Sequence, residues 1–447
     1  MRKLNFKSGL VLSVFFQTLL LSFSCNHIQP AASSVVVGSA TVPPDRKMIV
    51  KSDKKKQADL DIPFRGFDFE KKITKIALGS SADAELPQPI WKVIDAQSPD
   101  LFIFSGNTVF AAKKYQKPLV QQFKKLNSFP EFRNFREKTP FLVTWDNLDF
   151  GVNDGGSDNL DKDAFRTEFM RYWSYLNTAV PRGQKALYHS KIFGPKKQKV
   201  QFIVLDTRWD RSPLKKNLED PANQPVELKP AVTEVVTPVI VTGVIPAPAT
   251  PSTSPAPTPE VNSTASINPA VPVVMTEETK STEIIHPKPY LADEDKSKHF
   301  LSEDQWAWLE SELKRPSELK FLVSSIQVIA NDHQFEKWGN FPLERERLFR
   351  LLVKTKTKNL IILSGDRHLG AIAKIEVKKL GPVYEMTSSG LNKDSQPGNI
   401  LTDMTYFNDA FNKINFGIVK IDWDKHKVIL EIHSALDEVK SSAEINF

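Results

Sequence analysis

The chain has a single cysteine, Cys25, in 447 residues, so no disulfide can form within it. It lacks a strong charge of either sign. Sixty Lys and Arg against 53 Asp and Glu give +7, and three of those cations, Arg2, Lys3 and Lys7, sit in a leader without acids. The remaining 7 − 3 = +4 is too small a surplus to argue for nucleic-acid binding. The apolar run at residues 9–24, "GLVLSVFFQTLLLSFS", is too short, and too Ser-rich at its end, for a good transmembrane span. There is no G-x-S-x-G elbow, no P-loop and no Cys/His zinc pattern.

What is present at the amino terminus reads as an export signal. Arg2, Lys3 and Lys7 form a basic n-region, and residues 9–24 form the apolar h-region, ending in small residues. Cys25 follows directly, where the lipidated cysteine of bacterial lipoproteins would stand. Residues 1–24 are therefore expected to be a signal peptide, with Cys25 carrying a lipid. The expected location is the bacterial envelope, in the periplasm or at the outer membrane, with the membrane as a partner through that lipid.

Two stretches lack the composition for a core. Residues 25–71, which include "KSDKKKQAD", have neither helical nor strand period and read as a flexible tether. Residues 216–297 include "TPVIVTGVIPAPATPSTSPAPTPEVNSTASINPAVPVV" and are rich in Pro, Thr, Ala and Ser, a composition that favours extended chain. They read as a disordered insertion in a domain, because patterned sequence continues on both sides. The folded parts are then 72–215 and 298–447.

In those parts, strands are expected at 73–78, 101–104, 141–145, 200–206, 320–325, 360–364, 383–387, 417–423 and 427–433. Helices are expected at 89–96, 162–177, 302–313 and 344–354. The helix at Ser302 opens with the capping-box pattern Ser302-Glu303-Asp304-Gln305. Apolar strands alternating with amphipathic helices give an α/β protein.

Several strands run into polar clusters. "IALGSSAD" ends at Ser80-Ser81, "LFIFSGN" at Asn107, "FLVTWDNLDFGVNDGG" offers Asp146, Asn147 and Asp149, and "NLIILSGDRH" offers Asp366 and His368. Asp, Asn and His converging from separate strand ends is how dinuclear phosphoesterases hold their metals.

The sequence resembles the PhoD-like alkaline phosphatases and phosphodiesterases. The motifs that carry the resemblance stand in family order: "GSSADAELPQPIWKVIDAQSPDLFIFSGN", "TWDNLDFGVNDGG", "FIVLDTRWDRSPL", "LSEDQWAWLESEL", "SSIQVIANDHQFEKWGNFPLERERL", "LSGDRH" and "YEMTSSGLN". The resemblance implies a four-layer αββα sandwich of the metallophosphoesterase type, with iron and calcium at the strand ends and hydrolysis of phosphate esters as the activity.

Departures from the family cluster at the implied ligands. G-S-C becomes Gly79-Ser80-Ser81, G-D-N-x-Y becomes Gly106-Asn107-Thr108-Val109-Phe110, and W-D-D-H-D becomes Trp145-Asp146-Asn147-Leu148-Asp149. Ser81, Asn107, Phe110, Asn147 and Leu148 are thus degenerate positions, while Asp146, Asp149, Asp366 and His368 are the residual candidates for metal. Hard cations need anionic donors, so at most one divalent ion is expected, held by Asp146, Asp366 and His368. Arg208 and Arg211 in "LDTRWDR" are expected to pair with a carboxylate such as Asp206 rather than to clamp a phosphate, and His333 to make a structural loop contact.

The reading these residues favour is a catalytically silent envelope lipoprotein that keeps the phosphatase fold to bind a phosphate-containing ligand or a protein partner. The alternatives are a working phosphoesterase with a reduced metal site, and an adhesin-like surface protein whose Pro/Thr-rich insertion makes the contacts. Replacing Cys25 with Ala should move the protein from the membrane to the soluble periplasmic fraction; unchanged fractionation would show that the anchor is not a lipid on Cys25.

Overall fold

Unbroken apolar runs, rather than alternating ones, mark strands covered on both faces. The computed structural model, which describes residues 64–111, 118–219, 289–395 and 401–447, puts such runs at the centres of two sheets. The first half of the chain contributes β1 (Lys75–Gly79), β2 (Leu101–Ser105), β3 (Phe141–Thr144), β4 (His189–Phe193) and β5 (Val200–Val204). The second half contributes β6 (Leu319–Val323), β7 (Leu360–Ser364), β8 (Gly370–Val377), β9 (Gly381–Ser388), β10 (Asn415–Asp422), β11 (Lys427–Ser434) and β12 (Val439–Asn446). One sheet has the order β12-β11-β10-β1-β2-β3 and the other β4-β5-β6-β7-β9-β8.

Side chains that alternate along the second sheet go to different cores. Phe202, Val204, Phe321, Val323, Ile361 and Leu363 face the core shared with the first sheet, where they join Ile418 and Leu430. Ile203, Leu205, Leu322 and Ile362 face the opposite way. There they meet Trp306 and Leu309 of one helix, and Leu348 and Leu352 of another. This is the period-two geometry of a strand with an apolar layer on each side. The expected mixed α/β sandwich of two sheets between helices is the fold observed.

The helices are α1 (Ile90–Ala96), α2 (Leu119–Ser128), α3 (Pro130–Lys138), α4 (Asn147–Phe150), α5 (Lys162–Tyr172), α6 (Leu176–Ala179), α7 (Glu303–Leu313) and α8 (Pro342–Lys354). Trp91 of α1 packs edge-on against Phe102 and Phe104, and meets Phe132 of α3 at 5.0 Å between ring centroids. Ser302 caps α7, accepting from the Gln305 N–H, as its capping-box pattern requires.

Among the described residues, the edge strands β4, β8 and β12, the helices α2 and α3 and the single-turn α4 were not anticipated. β4, β8 and β12 lie at sheet edges, where half the residues meet solvent and the apolar pattern fades. α2 and α3 are short and separated at Phe129-Pro130, with Pro130 at the first helical position. The helix expected over 162–177 breaks after Tyr172, because Trp173 leaves helical geometry and stacks on Phe141, 5.8 Å between centroids.

The expected signal peptide, Cys25 and most of the tether and insertion lie outside the described residues. The inner ends of both segments are packed. Phe67 sets its ring edge-on to Tyr175 and Phe193, and the Gly194 N–H donates to Phe69 O. Lys216 and Tyr290 form an antiparallel bridge, so the chain leaves and re-enters the fold side by side. The strands that flank this stretch, β5 and β6, are parallel neighbours in one sheet.

His189 on β4 is buried, with Nδ1 2.9 Å from the Leu187 carbonyl and Nε2 3.3 Å from the Tyr175 hydroxyl. Nδ1 therefore carries the proton and Nε2 accepts. Burial pushes its pKa from 6.5 down to about 4. The unfolded chain takes up a proton below pH 6.5 that the folded chain refuses until about pH 4. Stability from this group is complete above 6.5 and is lost as pH falls through that window, by about 3 kcal/mol. Denaturation of His189→Gln across this range should show a correspondingly shallower acid dependence; an unchanged slope would assign the acid sensitivity elsewhere.

Candidate functional site

The carboxyl ends of β1, β2, β3, β5, β6, β7 and β9 point to one region, because these strands run parallel within their sheets. Polar side chains stitch the two sheets there. Ser80 Oγ donates to Ser388 O (3.1 Å), Ser388 Oγ to Leu78 O (3.3 Å) and Thr144 Oγ1 to Leu205 O (2.9 Å). The backbone turns sharply: Ser81, Asn107, Asp366 and His368 all have left-handed φ, between 49° and 68°. Non-glycine residues rarely adopt that conformation, and clusters of them accompany functional sites. Gly106, at φ 104°, has no alternative, since a Cβ there would lie 2.5 Å from Asp146 Cβ.

Asp146 is the hub. It is fully buried; Oδ1 accepts from Arg208 Nε (2.7 Å) and Ser325 Oγ (2.6 Å), and Oδ2 from Asn107 Nδ2 (3.2 Å). Arg208 is equally buried and turns its other edge to Glu336, donating through Nη1 (2.7 Å) and Nη2 (2.6 Å) as a bidentate pair. Arg211 Nη2 is 3.0 Å from Glu336 Oε1 and donates to the carbonyls of Asp154 and Gly155. Burial alone would lower the Arg208 pKa, but Asp146 and Glu336 outweigh it and hold the guanidinium firmly charged. Burial would raise Glu336, and Arg208 and Arg211 bring it below the usual carboxylate range.

The residual candidates have distinct surroundings. Asp366 receives the Asn107 amide at 3.4 Å, and burial, then Asp146 and Glu336, push its carboxyl well up. Asp149 closes a capping box on α4: Oδ1 accepts from the Asp146 N–H and Oδ2 from the Thr108 N–H (2.6 Å). Burial still lifts Asp149 to about 7. His368 has its Nδ1 buried without a partner, and burial followed by Lys393 and Arg367 lowers its pKa to about 4.

The degenerate positions are built into the same framework. Ser81 Oγ accepts from Ser389 Oγ (3.0 Å). Asn107 accepts from the Leu148 N–H (2.8 Å) while its amide reaches Asp146 and Asp366, so one neutral side chain links three segments. Phe110 and Leu148 form an apolar pair of their own, with His368 6.0 Å from the Phe110 ring and Lys393 Nζ 5.7 Å from it. Asn147 turns away to Asp154 (2.9 Å), whose other oxygen accepts from the Tyr290 hydroxyl (2.5 Å). Among the described residues, no group of three or more His, Cys, Asp or Glu is placed to hold a metal ion.

Arg208 and Arg211 pair with carboxylates, as expected, but not with Asp206. Asp206 instead accepts from Trp145 Nε1 (2.8 Å) and the Leu187 N–H (2.7 Å), leaving the guanidinium to Asp146 and Glu336. Sequence reasoning missed Glu336, Ser325 and Tyr290. "HQFEKWGNF" held a signal for Glu336, an acid amid residues that turn out buried, but nothing local says which cation it meets. His333, expected as a loop contact, is buried with both ring nitrogens unpartnered.

A family model described as PhoD-like phosphatase matches residues 85–431. The chain belongs to that family. Ser81 precedes the matched residues, while the other candidate and degenerate ligand positions fall within them. No curated protein matches in sequence. The chain is similar in structure to PhoD, at 12% identity and a TM-score of 0.53, over 86% of this chain and 70% of that one, a likeness of fold. Weaker likenesses are to GAP50, the anchor in the inner membrane complex of Plasmodium (11% identity, TM-score 0.43, 84% and 90% coverage), and to a dimetal phosphatase from Danio rerio (12%, 0.43, 84% and 100%).

Removing a buried ion-pair partner leaves the other charge uncompensated. Arg208→Met strands both Asp146 and Glu336, and should cost about 3–5 kcal/mol in urea unfolding. Glu336→Gln, which leaves Asp146 paired, should cost less. A loss under about 1 kcal/mol for Arg208→Met, the level of a surface pair, would remove this network from the determinants of the fold.

Proposed function

We propose that this member of the PhoD-like family is an exported, lipid-anchored envelope protein in which hydrolysis is lost and the phosphatase fold is kept to bind a phosphate-containing ligand or a protein partner. The observation that carries this reading is the state of Asp146. Its Oδ1 already accepts from a guanidinium and a hydroxyl and its Oδ2 from an amide, so the protein's own donors engage three of its roughly four acceptor sites.

The donor chemistry supports the same reading. Family ligands implied at positions 81, 107, 110, 147 and 148 are here a hydroxyl, an amide, a bare ring, a second amide and an alkyl group. Two divalent ions about 3.5–4 Å apart repel strongly, and anionic ligands between them offset that repulsion. Asn107 offers no charge, and its carbonyl is taken by Leu148 N–H. The residues present do not fit a dinuclear centre, and no catalytic step is assigned to one.

Elemental analysis after refolding with iron, calcium, zinc and manganese should find at most about one weakly held ion per chain. Hydrolysis of phosphomonoesters and phosphodiesters should stay near background. Combining Ser81→Cys, Asn107→Asp, Phe110→Tyr, Asn147→Asp and Leu148→His should raise metal content before activity. Two bound ions in the unaltered protein, with turnover at ordinary rates of ~1–1000 per second, would overturn the reading.

A further inference from the structure

The end of the second sheet remote from the strand-end network is basic. β5, β6, β7 and β9 are parallel neighbours, so the turns that lead into them lie side by side. Hydrogen bonds join these turns: the Glu318 N–H donates to Lys199 O (3.0 Å), and Asn359 Nδ2 to Glu318 O (3.0 Å). The entry to β5 carries Lys196 and Lys197, that to β7 Lys356 and Lys358, and that to β9 Lys378 and Lys379, all exposed. Among the described residues, none of these lysines pairs with a carboxylate. The acids of nearby α7, Glu310 and Glu312, are taken by Lys314, Lys354 and Arg315, and Glu318 accepts from the Lys199 N–H (2.6 Å).

Three of the lysines stand where lysine is unfavourable. Lys197, Lys356 and Lys379 have φ of 69°, 51° and 71°, the left-handed region that glycine and asparagine adopt more readily. Lys356 follows Thr355, the C-cap of α8, at the position usually given to glycine: its N–H donates to Val353 O, and the Thr357 N–H to Leu352 O. Lys197 and Lys379 are each the third residue of a turn, closed by Gln198 N–H to Pro195 O and by Leu380 N–H to Val377 O. Glycine or asparagine would serve the backbone better at all three. What lysine adds at each is charge, and no described residue answers it.

Beside the lysines the two sheets part in an open cleft of about 340 Å³. Lys358 lines it, and its walls are mainly apolar, with Leu360, Leu380, Val383, Ile445 and Phe447 among them. A row of cations beside an apolar opening fits a phospholipid, whose phosphate is anionic and whose chains are apolar. A nucleic acid would answer the charge and leave the apolar walls uncovered. We propose that this end of the molecule docks on an anionic phospholipid surface, the lysines of the three turns meeting headgroup phosphates and the cleft taking the apolar part of one lipid. The surface is separate from Asp146 and its partners, and its test reads neither metal nor hydrolysis.

The test uses the full chain with Cys25→Ala, so that no acyl group on Cys25 can anchor it, and co-sedimentation with vesicles. Vesicles of phosphatidylcholine mixed with phosphatidylglycerol should carry the chain down, and vesicles of phosphatidylcholine alone much less. Each lysine near an anionic surface is worth about fivefold in binding. Lys197→Asn/Lys356→Asn/Lys379→Asn should thus weaken binding to the mixed vesicles about 100-fold. Its melting temperature should hold or rise, because asparagine suits left-handed turns. Lys54→Gln/Lys55→Gln/Lys56→Gln, which removes the same charge from the tether, should weaken binding less. Equal binding to both kinds of vesicle, a turn variant that binds like the parent, or tighter binding to a DNA duplex than to the mixed vesicles would each overturn the proposal. A lowered melting temperature for the turn variant would also overturn it, since the lysines would then serve the turns themselves.

Discussion

The buried pair between Asp146 and Arg208 joins the two halves of the sandwich. Asp146 follows β3 at the edge of one sheet; Arg208 follows β5 and Ser325 follows β6 in the other. Glu336 gives the guanidinium a second carboxylate, so two acids surround one base away from water. Such a cluster gains little over apolar packing of the same volume, but it tolerates few alternative arrangements. The strand ends depend on it for register: Gly106 is pressed against Asp146, and Asn107 bonds to it.

Asn107 shows how a neutral side chain fills the place where the family resemblance implies an aspartate. An aspartate there would add a negative charge beside Asp146 and Asp366, which only a cation could offset. An asparagine of nearly the same size instead donates to both acids and accepts from Leu148. Phe110 and Leu148 then pack together as an apolar pair. Each substitution makes sense beside the others, since a neutral bridge and an apolar pair need no ion.

The central strands were legible in the sequence because burial on both faces leaves a continuous apolar signal, as in "LIILS" and "VQFIV". Edge strands such as "VKSSAEIN" lose that signal to solvent. The positions of Asp146, Asn107 and Asp366 in one region were also legible, since each ends a strand of the same direction. The identity of their partners was not. Glu336 lies 128 residues from Arg208 in the chain, and only the packing of its loop against the sheet ends brings them together. Asp149 looked like a ligand by position, yet its carboxylate serves two backbone N–H groups, a role fixed by the short turn of α4.

The pairing of β1 with β10 has a kinetic meaning. The sheet that begins at Lys75 is finished by strands from the end of the chain, and Trp423 Nε1 closes onto Ile73 O across 350 residues of sequence. Until those last strands arrive, one edge of β1 has no hydrogen-bonding neighbour, and the apolar faces of β1 and β2 lack their cover. Contacts at such separation form slowly, since the long intervening loop must close before they reward it. A fragment that stops before residue 415 would therefore leave this sheet unfinished, with an open, sticky edge on β1. Protection of the strands that start at Lys75 thus depends on residues 415–446, which are made long after them.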